Sequence, residues 1–187
     1  MIRALDAGGH PADGSLALKY LRAIVRGHDV DREAAWFVVP GPPAAKERPR
    51  RGARGHFYTP DRTRAAEQLL AMQWRAAAQG RVLGSNVAVA AVFYVSDERA
   101  TDGDNLLKLL LDAGNRGEVW GDDAQVTVHV AGLELDRARP RTVVAFCPTV
   151  STLVRQARRC RACDGPLTRI SRGLCRCGTT NRRERRP

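Results

Sequence analysis

Thr101–Val126 reads T-D-G-D-N-L-L-K-L-L-L-D-A-G-N-R-G-E-V-W-G-D-D-A-Q-V. Leu106, Leu107, Leu109, Leu110 and Leu111 make the first half strongly apolar, so it predicts a largely buried amphipathic helix running from a cap at Asp104 to about Asn115. Such a helix rises roughly 17 Å at about 1.5 Å per residue. An extended return from Gly117 to Asp123 covers roughly 20 Å, just enough for Asp123 to come back beside Asp102 and Asp104. Lys108 lies one turn after Asp104 and Asp112 continues the same row. Carboxylates converging in this way would repel one another, and a divalent cation held by hard oxygen ligands removes the repulsion. The chemistry that follows is metal-assisted phosphoryl transfer. The same residues also suit a helix cap and an Asp-Asp turn, and spacing alone leaves both readings open.

Outward from this stretch the chain alternates irregularly between strand and helix patterns. Ser15–Arg26 predicts a short amphipathic helix, and Trp36–Val39 a strand stopped by Pro40-Gly41-Pro42-Pro43. A basic loop follows, with Lys46, Arg48, Arg50, Arg51 and Arg54, closed by His56-Phe57-Tyr58; arginines mixed with aromatics suit phosphates and bases. Thr59-Pro60 predicts the cap and first position of a helix reaching about Gln79, with Ala65, Leu69, Met72 and Ala76 inward and Trp74 in packing. Asn86–Val95 predicts a buried strand. Gln125–Val130 predicts another, with Val126, Val128 and Val130 on one face, a bulge at Ala131-Gly132 and His129 in a structural or solvent-facing role. Arg141–Phe146 is the last strand. The expectation is an α+β fold, a single mixed β-sheet with two main helices. Its parts are an extension over 1–34, a core over 35–149 and an Arg-rich tail over 150–187.

The net charge of +11 points to a polyanionic partner. Residues 151–187 hold eleven Arg against Asp164 and Glu184, so +9 of it lies in the tail. Four of the five cysteines sit there, Cys160-x-x-Cys163 and Cys175-x-Cys177, which resembles a small zinc ribbon. Four thiolates suit a closed, structural Zn²⁺ site in a reducing compartment. Arg158 and Arg159 beside it are expected to contact DNA phosphates. No apolar run is long enough to span a membrane and Met1–Gly14 lacks a signal-peptide pattern, so a cytoplasmic protein is expected.

Val39-Pro40-Gly41-Pro42-Pro43, the loop ending Tyr58-Thr59-Pro60, D-G-D-N-L-L-K and the downstream G-D-D-A-Q-V together resemble the RusA family of Holliday junction resolvases. The resemblance covers about residues 35–148. It implies a bacterial or phage-encoded α+β homodimer that binds four-way DNA junctions and nicks symmetrical strands using Mg²⁺ or Mn²⁺. By motif, Asp102, Asp104 and Asp123 would be the acidic catalytic and metal-holding residues and Lys108 the catalytic lysine, with Asn105, Asp112 and Asp122 supporting them. Lys46, Arg48, Arg50, Arg51, Arg54 and Tyr58 would contact DNA. Cleavage would leave a 5′-phosphate and a 3′-hydroxyl. The alternatives are a non-catalytic DNA-binding zinc-ribbon protein and a broader flap or fork nuclease. Asp97–Thr101 is less basic than the segment that usually precedes the motif in the family, and it has no aromatic to open a junction centre.

Overall fold

The two most apolar runs of the chain become the two central strands of the sheet. The computed structural model describes residues 14–52, 55–98, 102–153, 158–167, 175, 177 and 178. In it α1 (Ser15–Ile24), α2 (Val30–Glu33) and β1 (Ala35–Pro40) lead into β2 (Arg50–Arg51) and β3 (Phe57–Tyr58). Then come α3 (Asp61–Ala77), β4 (Val87–Val95), α4 (Gly103–Arg116), a 3₁₀ turn (Asp123–Gln125), β5 (Val126–Leu135) and β6 (Arg141–Pro148). The small β7 (Arg158–Arg159) and β8 (Pro166–Leu167) complete the described elements. The main sheet has the order β1-β6-β4-β5. β6 is antiparallel to both neighbours, and β5 runs parallel to β4, as a crossover through α4 demands. The fold is the expected α+β class on one mixed sheet.

Alternation along β4 sorts the core into two layers. Val87, Val89, Ala91 and Phe93 face α3 and α4, while Ala88, Ala90 and Val92 face α1 with Ala17 and Leu21. The extension therefore contributes a layer of core, because α1 covers a sheet face that would otherwise lie open. Trp74 is fully buried among Phe37, Trp120 and Phe146 at ring separations of 4.8–5.1 Å, and its Nε1–H donates to the Leu110 carbonyl at 3.0 Å. Gly114 is where Trp120 lies on α4: a Cβ there would sit 2.2 Å from the indole.

Four expectations change. Helix α3 starts one residue later than read, with Pro60 at its cap position, and Thr59 makes no cap bond. Its buried positions are Thr63, Leu70, Ala71 and Trp74, whereas Leu69, Met72, Ala65 and Ala76 are exposed. The aromatic cluster decides this: seating Trp74 rotates the other apolar row outward. The irregularity of β5 lies at Thr127, between the Val87–Val126 and Ala88–Val128 pairs. One extra residue flips the face, so Val126 packs with the α4 layer while Val128 and Val130 pack with α1. Finally, Asp102 rather than Asp104 caps α4.

Candidate nucleic-acid interface and metal sites

The end of the sheet at which β4 finishes collects most of the predicted site. Asp102 accepts from the backbone N–H groups of Asp104 (3.1 Å) and Asn105 (3.3 Å), and the Asn105 amide reaches its other oxygen at 2.5 Å. This fixes the Asp102 carboxylate at the helix N-terminus, where the exposed backbone dipoles favour negative charge. Asp104 and Lys108 stand exposed on the same helix one turn apart. Asp112 is paired to Lys46, whose own N–H donates to the Asn105 carbonyl at 3.0 Å. Lys46, expected to contact DNA, therefore fastens the basic loop to α4, and it is Lys46 rather than Lys108 that answers Asp112.

The loop itself is a small hairpin in which Arg50 faces Tyr58 and Arg51 faces Phe57. Gly52 makes it possible, because a Cβ there would lie 2.8 Å from the His56 ring. Arg48, Arg51, His56, Phe57 and Tyr58 are exposed, and Arg50 is exposed while paired with Glu47 at 3.0 Å. Arg54 lies outside the described residues, as does the side chain of Arg158.

Asp123 is elsewhere. It precedes β5 at the opposite end of the sheet, beside the start of β4. The 14 residues of α4 separate it from Asp102 and Asp104 by about 21 Å. The return from α4 does not double back: it uses its length in the turn at Gly117–Val119 and in placing Trp120 on the core, then enters β5 as the parallel crossover requires. A single chain thus brings Asp102, Asp104 and Lys108 together and leaves Asp123 apart.

The reason Asp123 is held there is Gln125, a residue the sequence reading passed over. Asp122 accepts from Ala124 N–H at 3.1 Å, and the buried Gln125 accepts from the N–H groups of Gly121 and Asp122, completing a capping box. Its amide donates to the carbonyls of Leu83 (3.1 Å) and Ser85 (2.8 Å), tying the turn to the loop before β4. The D-x-x-Q spacing was the signal for it. His129 is exposed on β5, in keeping with a solvent-facing role.

At this same end sits the cysteine cluster. Cys160, Cys163, Cys175 and Cys177 place their sulfurs within 4.8 Å of one another, with pairs at 3.5 and 3.7 Å. A tetrahedral zinc at about 2.3 Å from each sulfur sets them about 3.8 Å apart, so the set fits that ion. All are free thiols. The Cys177 backbone N–H favours a thiolate at Cys175, yet burial and the neighbouring sulfurs push that thiol up to about 12, so a cation must displace the protons. Arg159 is partly committed within this knuckle, donating to the Asp164 carbonyl at 2.8 Å.

Fold and site together define a small α+β protein that displays carboxylates beside arginines and aromatics, the equipment for a polyanionic substrate. The family model described as Endodeoxyribonuclease RusA matches residues 40–146, more than half of the chain, and the chain belongs to this family. The family supports endonuclease activity, Holliday junction resolution and DNA binding. No curated protein sequence matches the chain. Among the described residues no helix is long and apolar enough to cross a membrane.

Proposed function

We propose that the protein is a divalent-metal-dependent endonuclease that resolves four-way DNA junctions by paired nicks in recombination and repair, acting in the cytoplasm as a homodimer. The observation that carries this reading is the pairing of exposed Asp102, Asp104 and Lys108 on α4 with the arginine-bearing hairpin fastened to that helix. In this reading residues 35–149 carry catalysis, α1 of the extension braces the sheet and 150–187 bind zinc and DNA.

The 21 Å gap has a two-chain solution. β5 is the edge of the sheet, ten residues long, with Leu133 and Leu135 about half exposed and no strand on its outer side among the described residues. Long apolar edges invite pairing, and two copies of one chain pair isologously about a two-fold axis. Antiparallel pairing of two β5 strands puts the start of one beside the end of the other. Gly103 lies against Leu133 near that end, so Asp123 of one protomer is carried toward the partner's Asp102 and Asp104. Each site then draws carboxylates from both chains.

Asp102, Asp104 and Asp123 of such a site would hold Mg²⁺ or Mn²⁺, since the donors are hard, anionic oxygens. The ion would supply charge neutralisation at the scissile phosphate. Lys108 stabilises the charge that develops on the phosphate oxygens, and its ammonium is placed for this by its position one turn above Asp104. Asp102 is held in one orientation by its cap bonds and Asn105. Arg48, Arg50, Arg51 and Tyr58 position the backbone, while Zn²⁺ at Cys160, Cys163, Cys175 and Cys177 gives the tail a fold. The test is cleavage of a synthetic four-way junction, a flap and a linear duplex with Mg²⁺ or chelator. Symmetrical metal-dependent nicks in the junction alone are expected; equal cutting of flap and junction would favour a broader branched-DNA nuclease, and no cutting would overturn the reading.

A further inference from the structure

The chain lacks an aromatic in the segment before its acidic motif, yet it displays one on the hairpin. Phe57 is 72% exposed, the most exposed large apolar side chain among the described residues. It lies directly across the ladder from Arg51, so ring and guanidinium share one face; Tyr58 and Arg50 form the second pair. The hairpin is short and tight, with Gly52 N–H donating to the His56 carbonyl at 2.8 Å and Gly55 at φ 77° in the turn. Its root is anchored too. Lys46 is bonded to the carbonyl of Asn105, next in sequence to Asp104, and Arg50 is only the fourth residue after Lys46, a reach of at most about 14 Å. A water-exposed ring on a hairpin whose root is fastened beside the acidic motif, with Arg51 across the ladder from it, is suited to a flat apolar surface that belongs to a polyanion. A nucleobase has that surface, and stacking on an aromatic needs no particular base.

We propose that Phe57 stacks on a nucleobase unpaired at the DNA branch point and holds the crossover open, with Arg51 on the adjoining phosphate. The inference rests on the junction-resolving reading above and adds to it how the junction centre is opened. The arginines bring the backbone to the hairpin by charge, and the ring adds a contact that intact duplex, whose bases are already stacked, does not offer. Phe57 thereby contributes to selection of branched over linear DNA without acting on the phosphate.

Phe57→Ala and Phe57→Trp are compared with the wild-type full chain in three measurements: binding to an intact junction, cleavage of it, and permanganate reactivity of thymines at the crossover. A second junction carries unpaired nucleotides at the crossover. Phe57→Ala is expected to cut the intact junction about tenfold more slowly, lose less than about threefold in affinity and abolish the permanganate signal. The pre-opened junction restores most of the loss, and Phe57→Trp behaves like wild type. If Phe57→Ala changes none of these readouts, the ring belongs to a protein contact and the proposal is wrong. It is equally wrong if both junctions suffer alike, since Phe57 then serves as an ordinary contact. Failure of the wild type to cut either junction sinks the functional reading itself, and this proposal with it.

Discussion

At the scale of single residues, some groups hold structure and others are proposed to act on DNA. Gly114 belongs to the first kind. A methyl at that position meets Trp120, so Gly114→Ala should lower stability by about 1–3 kcal/mol, the usual range for overpacking, in denaturant unfolding. Asp136 is another. Its hydrogen bond to Arg141, then that to the Arg139 backbone, lowers its pKa below the ordinary 3.8. The stabilisation from this carboxylate is therefore present above that value and lost as pH falls through the lowered native pKa. Asp136→Asn should flatten the acid limb of the stability profile below about pH 4, read as Tm against pH. Lys108 belongs to the second kind. Lys108→Ala should reduce junction cleavage about 100-fold or more at little cost in binding, since its charge acts in the transition state; unchanged cleavage would remove it from the site.

At the scale of elements, β4 and β6 were legible because their apolar runs are uninterrupted, and α3 and α4 because their apolar residues recur at helical spacing; the α+β class followed from their order. Faces were less legible. The row Ala65, Leu69, Met72, Ala76 has good helical spacing, but Trp74 carries more area than any of them, and the helix turns to bury it. The register of β5 depends on one extra residue at Thr127, for which no glycine or proline gives a local sign. The site was half legible. Asp102, Asp104 and Lys108 are local to one helix turn, so spacing places them, whereas Asp123 depends on whether the chain after α4 doubles back or crosses over. Reach allowed both, and the parallel pairing of β5 with β4 chose the crossover. The amphipathic pattern of Ser15–Arg26 suits docking on the core or on a partner alike, and α1 buries Ala17 and Leu21 completely against the sheet. Leu21→Ala should therefore cost about 2–5 kcal/mol. A chain begun at residue 35 should expose the Val38, Ala88, Val92 and Val143 face and aggregate, as light scattering would report.

At the scale of the whole molecule, two ends of one sheet carry different equipment: the acidic motif, Lys108 and the hairpin at one, Asp123 and the cysteine knuckle at the other. Among the described residues the knuckle's buried cluster is Cys160, Leu167 and Cys175, and a core of that size needs a metal to fold. Stripping the zinc, or Cys160→Ser, should release one ion per chain, weaken junction binding and reduce its salt dependence as tail arginines leave the phosphates. In the proposed dimer, antiparallel pairing of β5 would make this division useful, since each end of one chain would complete the other end of its partner. The direct test mixes two inactive variants, Asp104→Asn and Asp123→Asn, under conditions that exchange subunits. A mixed dimer then holds one site with both substitutions and one with neither. Cleavage is expected to return on mixing, as a single nick per junction, while each variant alone stays inactive. A mixture as inactive as its parents, with subunit exchange demonstrated, would contradict a site shared between two chains.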